Sequence, residues 1–431
     1  MTASANDSDT ASDSAESPCA RRGNQWLTTQ DLEAHLAAVV RLEHVGVLLG
    51  AGASVGGELG GMTVASLWDH FTSKFPQSAT WLRNENFVSS EAVVNVEALT
   101  DKLEIARLEW ERVNRSQDLL NLKSARADVL RSVVRAAVLQ PRWWKSPSAV
   151  DLNCVELASH RGLLQKLTSA RQPGQPSPWV FSTNYDLAVE WAAETVGLKV
   201  ANGFDGLHRR VFSPHNFDLG YRNMLARGEA RFGTYSIYLA KLHGSLTWQT
   251  AEDGTVEEHS AGHLWPRIRN FLTGKVDEIP GNIVYPSAAK YLQTVGFVLG
   301  ELFRRLTEFL ARPQSCLITS GYSFSDDHLN RILSSALQNP TLQLVIYAPE
   351  AARDGPDLRL EKTSEWVQRI AAIDSPQVTI IGGGSDAHLS ALVEHLPDPA
   401  IFDEQAARIR EMIKQHREWS DSSTPRAGRA A

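Results

Sequence analysis

Apolar residues along this chain follow two rhythms. Short unbroken runs, such as Val45-Gly46-Val47-Leu48-Leu49, Trp179-Val180-Phe181, Ile237-Tyr238-Leu239-Ala240, Cys316-Leu317-Ile318, Leu342-Gln343-Leu344-Val345-Ile346-Tyr347 and Val378-Thr379-Ile380-Ile381, each end in small or turn-forming residues. Continuous runs of that length, bounded by turn signals, read as strands buried on both faces. Between them the apolar positions recur at helical spacing: Leu32, Leu36, Val39 and Val40 after the capping box Thr28/Asp31, then Val64, Leu67, Trp68 and Phe71 after Thr63, and later Leu299, Leu302 and Leu306. Another helix is expected from near Leu329, and one more short strand near Ile283-Val284-Tyr285-Pro286. Strands alternating with helices predict an α/β protein with a doubly wound parallel sheet of at least six strands.

Two stretches interrupt the alternation. Residues 91–140 contain almost no Gly or Pro and are rich in Leu, Ala, Arg and Glu, which predicts a helical insertion after the first βα unit. A lid over a site, a surface for self-association and a plain packing layer are all compatible with that pattern. Residues 1–22 are small and polar, too poor in apolar groups to offset the entropy of ordering, and predict a disordered tail. Residues 23–398 are then the folded domain, and 399–431 a charged helix through Ile409 and Ile413 with a flexible end.

Composition narrows the function classes. The 431 residues carry a net charge of −7, so no global basic field favours direct nucleic-acid binding. Cys19, Cys154 and Cys316 are too widely spaced for a disulfide framework or a Cys-x-x-Cys knuckle, which predicts a reducing compartment and no zinc module or other metal. No apolar run reaches the ~18 residues a membrane span needs, and a cytoplasmic location is expected.

Four polar motifs fall at predicted strand ends: Gly50-Ala51-Gly52-Ala53-Ser54, Thr183-Asn184-Tyr185-Asp186, His243-Gly244-Ser245, and Ser320-Gly321-Tyr322-Ser323 followed by Asp326 and Asp327. In a parallel sheet such ends face one crevice. The first motif suggests a nucleotide, because glycines at 50 and 52 can take a positive φ and let main-chain N–H groups approach an anion, with a helix N-terminus downstream. The full Gly-x-Gly-x-x-Gly fingerprint is not met, since Val55 stands at the third position. Each residue has a plainer reading too: Asn184 as a turn residue, His243 as a structural histidine, Asp326 and Asp327 as helix N-caps, and the twelve tryptophans as packing.

Taken in order, the glycine turn, Thr183-Asn184-Tyr185-Asp186, Lys241-Leu242-His243-Gly244-Ser245 and Gly321-Tyr322-Ser323-Phe324-Ser325-Asp326-Asp327 resemble the sirtuin-like (Sir2-type) family, and within it the bacterial antiphage branch that acts on NAD. The resemblance implies a Rossmann-like, sirtuin-type fold and NAD as substrate. It implies His243 as base, Asn184 orienting the ribose or a water, and Asp186 accepting a hydrogen bond from the nicotinamide carboxamide. Gly50, Ala51, Gly52 and Ser54 are implied to hold the pyrophosphate, with Ser320, Gly321 and Ser323 on the adenosine side and Thr183, Gly244 and Ser245 completing the NAD contacts. The four-cysteine zinc module of sirtuin deacylases is missing, and Thr183-Asn184-Tyr185-Asp186 stands where deacylases have Gln-Asn-Ile-Asp, so deacylation is disfavoured.

The expected activity is therefore that of an NAD glycohydrolase, the effector of an antiphage, abortive-infection defence. Such an enzyme must be restrained, which predicts a homo-oligomer, with residues 91–139 or the C-terminal helix as the surface; the family resemblance further implies a HerA-type ring ATPase as partner. The rival readings are a protein deacylase or ADP-ribosyltransferase, and a non-catalytic module that binds NAD or ADP-ribose.

Overall fold

In a computed structural model the chain is described from residue 18 to residue 398, apart from residues 56–58, 90–93, 95, 147–149, 151–152, 173, 222–234, 278–281 and 284–294. The predicted tail through residue 17 and the predicted C-terminal helix lie outside the described residues.

One large sheet organises the molecule. Its nine strands are β1 (Ala20–Arg22), β2 (Gln25–Trp26), β3 (His44–Leu49), β4 (Trp179–Ser182), β5 (Lys199–Ala201), β6 (Ser236–Lys241), β7 (Ser315–Ser320), β8 (Gln343–Tyr347) and β9 (Val378–Ile381). They lie in the order β2-β1-β9-β8-β7-β3-β4-β6-β5. From β9 to β5 every neighbouring pair is parallel, whereas β1 joins β9 antiparallel and β2 joins β1 antiparallel. The order reverses beside β3: the chain moves to β4 on one side and later returns to β7 on the other, so the β3/β7 junction is the switch point where α/β sheets form their ligand crevice.

The run in β3 lacks polar alternation because both of its faces are buried. Val45, Val47 and Leu49 face α1 (Thr29–Val39) and, further along the same layer, α7 (Ala158–Ser169), α8 (Ala188–Thr195) and α13 (Leu389–His395). Leu48 turns the other way, into the layer holding α10 (Val295–Ala311), α11 (Asp327–Ala336) and α12 (Glu365–Ala371). Two helical layers on one central sheet are the predicted doubly wound arrangement. The caps read from sequence are also formed. Thr28 and Asp31 close the capping box of α1, and Thr63 Oγ1 accepts from the Ser66 amide (3.1 Å) at the start of α2 (Val64–Lys74).

Between β3 and β4 the chain builds a helical body. After α2 come α3 (Pro76–Asn84), α4 (Val96–Arg112), α5 (Ser116–Val138) and α6 (Pro141–Lys145), which share an apolar core with α9 (Ala261–Leu272). The body is fastened to the sheet domain by aromatic contacts: the buried Trp143 and Trp144 meet Trp191 of α8 edge-on at 4.9 Å and 5.8 Å.

Three expectations change. Ala20–Arg22, inside the segment predicted as tail, forms the antiparallel strand β1 because the β9 edge offers unpaired backbone groups and Ala20 fills an apolar site under α1. Ile283 joins no strand of the main sheet; it pairs with Gly244, and residues 284–286 lie outside the described residues. A separate four-stranded antiparallel sheet, Trp248–Thr250, Val256–Glu258, Arg210–Phe212 and Phe204–Asp205, was not expected, its two- and three-residue strands being too short to register as a pattern. Among the described residues no helix is long and apolar enough to cross a membrane.

Candidate functional site

At the carboxyl ends of β3, β4, β6 and β7 lies a cleft of about 930 Å3, open solvent at its mouth included. Its polar side carries Ser54, Thr183, Asn184, Asp186, His243, Ser323 and Asp326; the apolar side is Met62, Val64, Leu67, Val96, Val133 and Ala137. Helix α2 and the inserted helices α4 and α5 thus supply one wall of the cleft.

The turn after β3 is built differently from the expectation. Neither Gly50 nor Gly52 has a positive φ; Gly50 is extended at φ −105°. These glycines are required for space instead. A Cβ on Gly50 would lie 2.4 Å from the Gly321 carbonyl oxygen, and one on Gly52 would lie 2.8 Å from Gly321 Cα. Gly321, at φ +65°, has the positive φ in this contact, and a Cβ there would lie 2.0 Å from the Ala53 amide nitrogen. The Gly50 and Gly52 amides donate to the carbonyls of Ser320 (3.1 Å) and Gly321 (2.9 Å), and the Ala53 amide to Gly50 O (3.0 Å). Hence the two strand-end turns lock backbone to backbone, and these three N–H groups hold the fold together. Ala51 and Ser54 are the members of this motif that line the cleft.

Asn184 and Asp186 are joined through Ser54. Asn184 donates from side-chain Nδ2 to Gly50 O (3.0 Å) and Ser54 Oγ (3.3 Å), while Ser54 Oγ donates to Asp186 Oδ2 (2.8 Å). Asp186 Oδ1 accepts from the Ala188 amide (3.0 Å) at the start of α8. Behind this loop the buried Lys241 donates from Nζ to the Asp186 carbonyl and to Glu190 Oε1 (2.9 Å). Burial pushes the Glu190 carboxyl up, opposed by the Lys241 ammonium.

His243 enters from the end of β6, and its Nε2 lies 3.0 Å from Asp326 Oδ2. The other oxygen of Asp326 accepts from the His328 (2.8 Å) and Leu329 (3.1 Å) amides, making it the N-cap of α11. Burial raises the Asp326 carboxyl, but the bonds from His243 and from those two amides outweigh it, and the group titrates below the ordinary carboxylate range.

Of the residues expected at the site, Ala51, Ser54, Thr183, Asn184, Asp186, His243 and Ser323 meet in the cleft. Gly50, Gly52, Ser320 and Gly321 lie beneath it as the locked turns. Gly244 and Ser245 do not line it; they pair with Asn282–Ile283, and Ser245 Oγ is 2.9 Å from Thr247 Oγ1. Sequence reasoning offered a lid over the site as one reading of residues 91–140 without naming which residues face the cleft, and it missed the hydrogen bond between His243 and Asp326. The small pair Ala136-Ala137 near the end of a long helix was a faint signal for the wall; for the bond there was none, since the partners are 83 positions apart.

The residues present suit a dinucleotide: a concave site at the sheet reversal, a rigid strand-end turn, and amide, carboxylate and imidazole groups on one side. Among the described residues no group of three or more His, Cys, Asp or Glu could hold a metal ion. Residues 178–368 match the SIR2-like domain, and SIR2-like domains bind NAD. That match spans β4 to α12 and contains Asn184, Asp186, His243 and Asp326, whereas the β3 turn lies outside it and is brought in by sheet pairing. No curated protein matches the chain.

Proposed function

From the SIR2-like domain at residues 178–368 we propose that this chain binds NAD in the cleft and hydrolyses the nicotinamide–ribose bond, giving nicotinamide and ADP-ribose. The observation that carries the reading is the convergence of Asn184, Asp186 and His243, from two different strand ends, on one cleft at the sheet reversal. In this reading His243 takes a proton from the attacking water, whose oxygen forms the new bond to the ribose carbon as the bond to nicotinamide breaks with its electron pair. Asn184, fixed through Gly50 and Ser54, orients the ribose or that water. Asp186 retains acceptor capacity beside its bonds from Ser54 and Ala188, because each carboxylate oxygen has two lone pairs, and it receives the nicotinamide carboxamide.

Uncontrolled NAD loss is toxic to a cell, and with the family resemblance this supports a restrained antiphage effector acting as a homo-oligomer beside a HerA-type ring ATPase. Ile105 on α4 and Leu120 on α5, both exposed, are compatible with assembly through the inserted helices.

Purified protein incubated with NAD alone tests the reaction. Nicotinamide and ADP-ribose should appear in equal amounts, and His243→Ala should slow their release by roughly 10²–10⁴-fold, the usual worth of a general base. Turnover only with a protein acceptor would replace hydrolysis by transfer or deacylation. Binding without turnover would leave an NAD-binding module.

A further inference from the structure

Asp326 stands within hydrogen-bond reach of His243, although its place before α11 marks it as a helix cap. We propose that Asp326 is the positioning residue of His243, one oxygen fixing the imidazole while the other anchors the carboxylate to the first turn of α11. The role in turnover rests on the hydrolase reading above; the contact itself does not.

Three observations carry it. First, the two functions fall on different oxygens: Oδ1 takes the His328 and Leu329 amides and Oδ2 faces His243 Nε2. Second, the loop that presents Asp326 is held rigidly. Tyr322 Oη donates to Asn330 Oδ1 (2.8 Å), and the fully buried Asn330 donates from Nδ2 to the Phe324 carbonyl (2.9 Å), so β7, the loop and α11 form one unit. A carboxylate so held imposes ring orientation without an ordering cost at each turnover. Third, the other carboxylate that lines the cleft is committed elsewhere. Asp186 is engaged by Ser54 and the Ala188 amide; Lys241, the last residue of β6 and two before His243, is turned to Asp186 and Glu190.

The geometry allows capping and positioning to be separated. Asp326→Asn keeps an N-cap oxygen and the side-chain length but removes the charge; Asp326→Ser keeps a capping oxygen and is too short to reach the imidazole. Both are expected to melt close to the wild type. Both should also lose NAD turnover at least about tenfold in kcat, with KM little changed, the split expected when an interaction made in the transition state rather than in substrate binding is lost. A readout independent of NAD is the NMR titration of the His243 ring in full-length protein, assigned by its absence in His243→Gln. Its midpoint should fall in both variants, since a neighbouring carboxylate favours the charged imidazole. An unmoved His243 midpoint with wild-type kcat in Asp326→Asn would reduce Asp326 to a helix cap and overturn the proposal. Should the wild type consume no NAD, the reaction assigned above fails, and the His243 titration still decides whether Asp326 holds the ring.

Discussion

At the scale of single residues, side-chain space and side-chain charge both lead to measurable outcomes. Gly50 faces the Gly321 oxygen and Tyr322 Cα, backbone atoms that cannot swing aside, so Gly50→Ala should cost about 1–3 kcal/mol as an overpacking change. Gly300, in α10 with nothing within 4 Å of an added Cβ, is the matched control: Gly300→Ala should stabilise by roughly 0.5–1 kcal/mol. Denaturant melts of both variants check the pair, and equal effects would refute the locked-turn account. Charge enters through His35 and His160, both pushed down to about 4 by burial, with Arg22 adding to the effect on His35 and Asp186 opposing it on His160. An imidazole depressed in the folded state stays neutral while the unfolded chain, with a value near 6.5, takes up a proton. Stability is therefore complete above about pH 6.5 and declines as the pH falls toward 4. His35→Gln, which retains a partner for Thr379 Oγ1, should flatten part of that decline in urea titrations run between those limits. The residue types at these positions were legible in sequence, but the glycines' purpose was not. Positive φ is a local property, whereas close approach needs the second backbone in place.

Elements were the most legible level. Strand runs, helix periodicity and the Thr28 and Thr63 caps depend on neighbours a few positions away, and α1, α2 and the parallel strands formed where the pattern put them. The inserted helices were visible as a block, yet which of their faces met the cleft was decided by their packing on α9 and by the Trp143–Trp191 contact. If that wall shapes the site, enlarging it should obstruct the ligand without unfolding the body. Ala136→Leu, at a partly exposed cleft position on α5, is expected to raise KM for NAD several-fold while the melting temperature stays near wild type. An unchanged KM would remove α5 from the binding site.

On the scale of the whole molecule, ligand binding and folding are linked. His243→Ala protein, which should bind NAD without consuming it, is expected to gain about 2.7 kcal/mol of stability at a ligand concentration of 100 Kd, read as a thermal shift. The absence of any shift at millimolar NAD would count against the cleft as a dinucleotide site. Sequence alone determined the alternation of buried strands and amphipathic helices, the helix caps and the polar strand ends, because these are set by residues close along the chain. Only the tertiary structure decided that β3 lies between β4 and β7, that Ser54 bridges Asn184 and Asp186, and that Asp326 meets His243. The side-chain contacts among these join residues 83 to 132 positions apart, and they form because two helical layers bury both faces of the sheet in one register, a condition no local pattern contains.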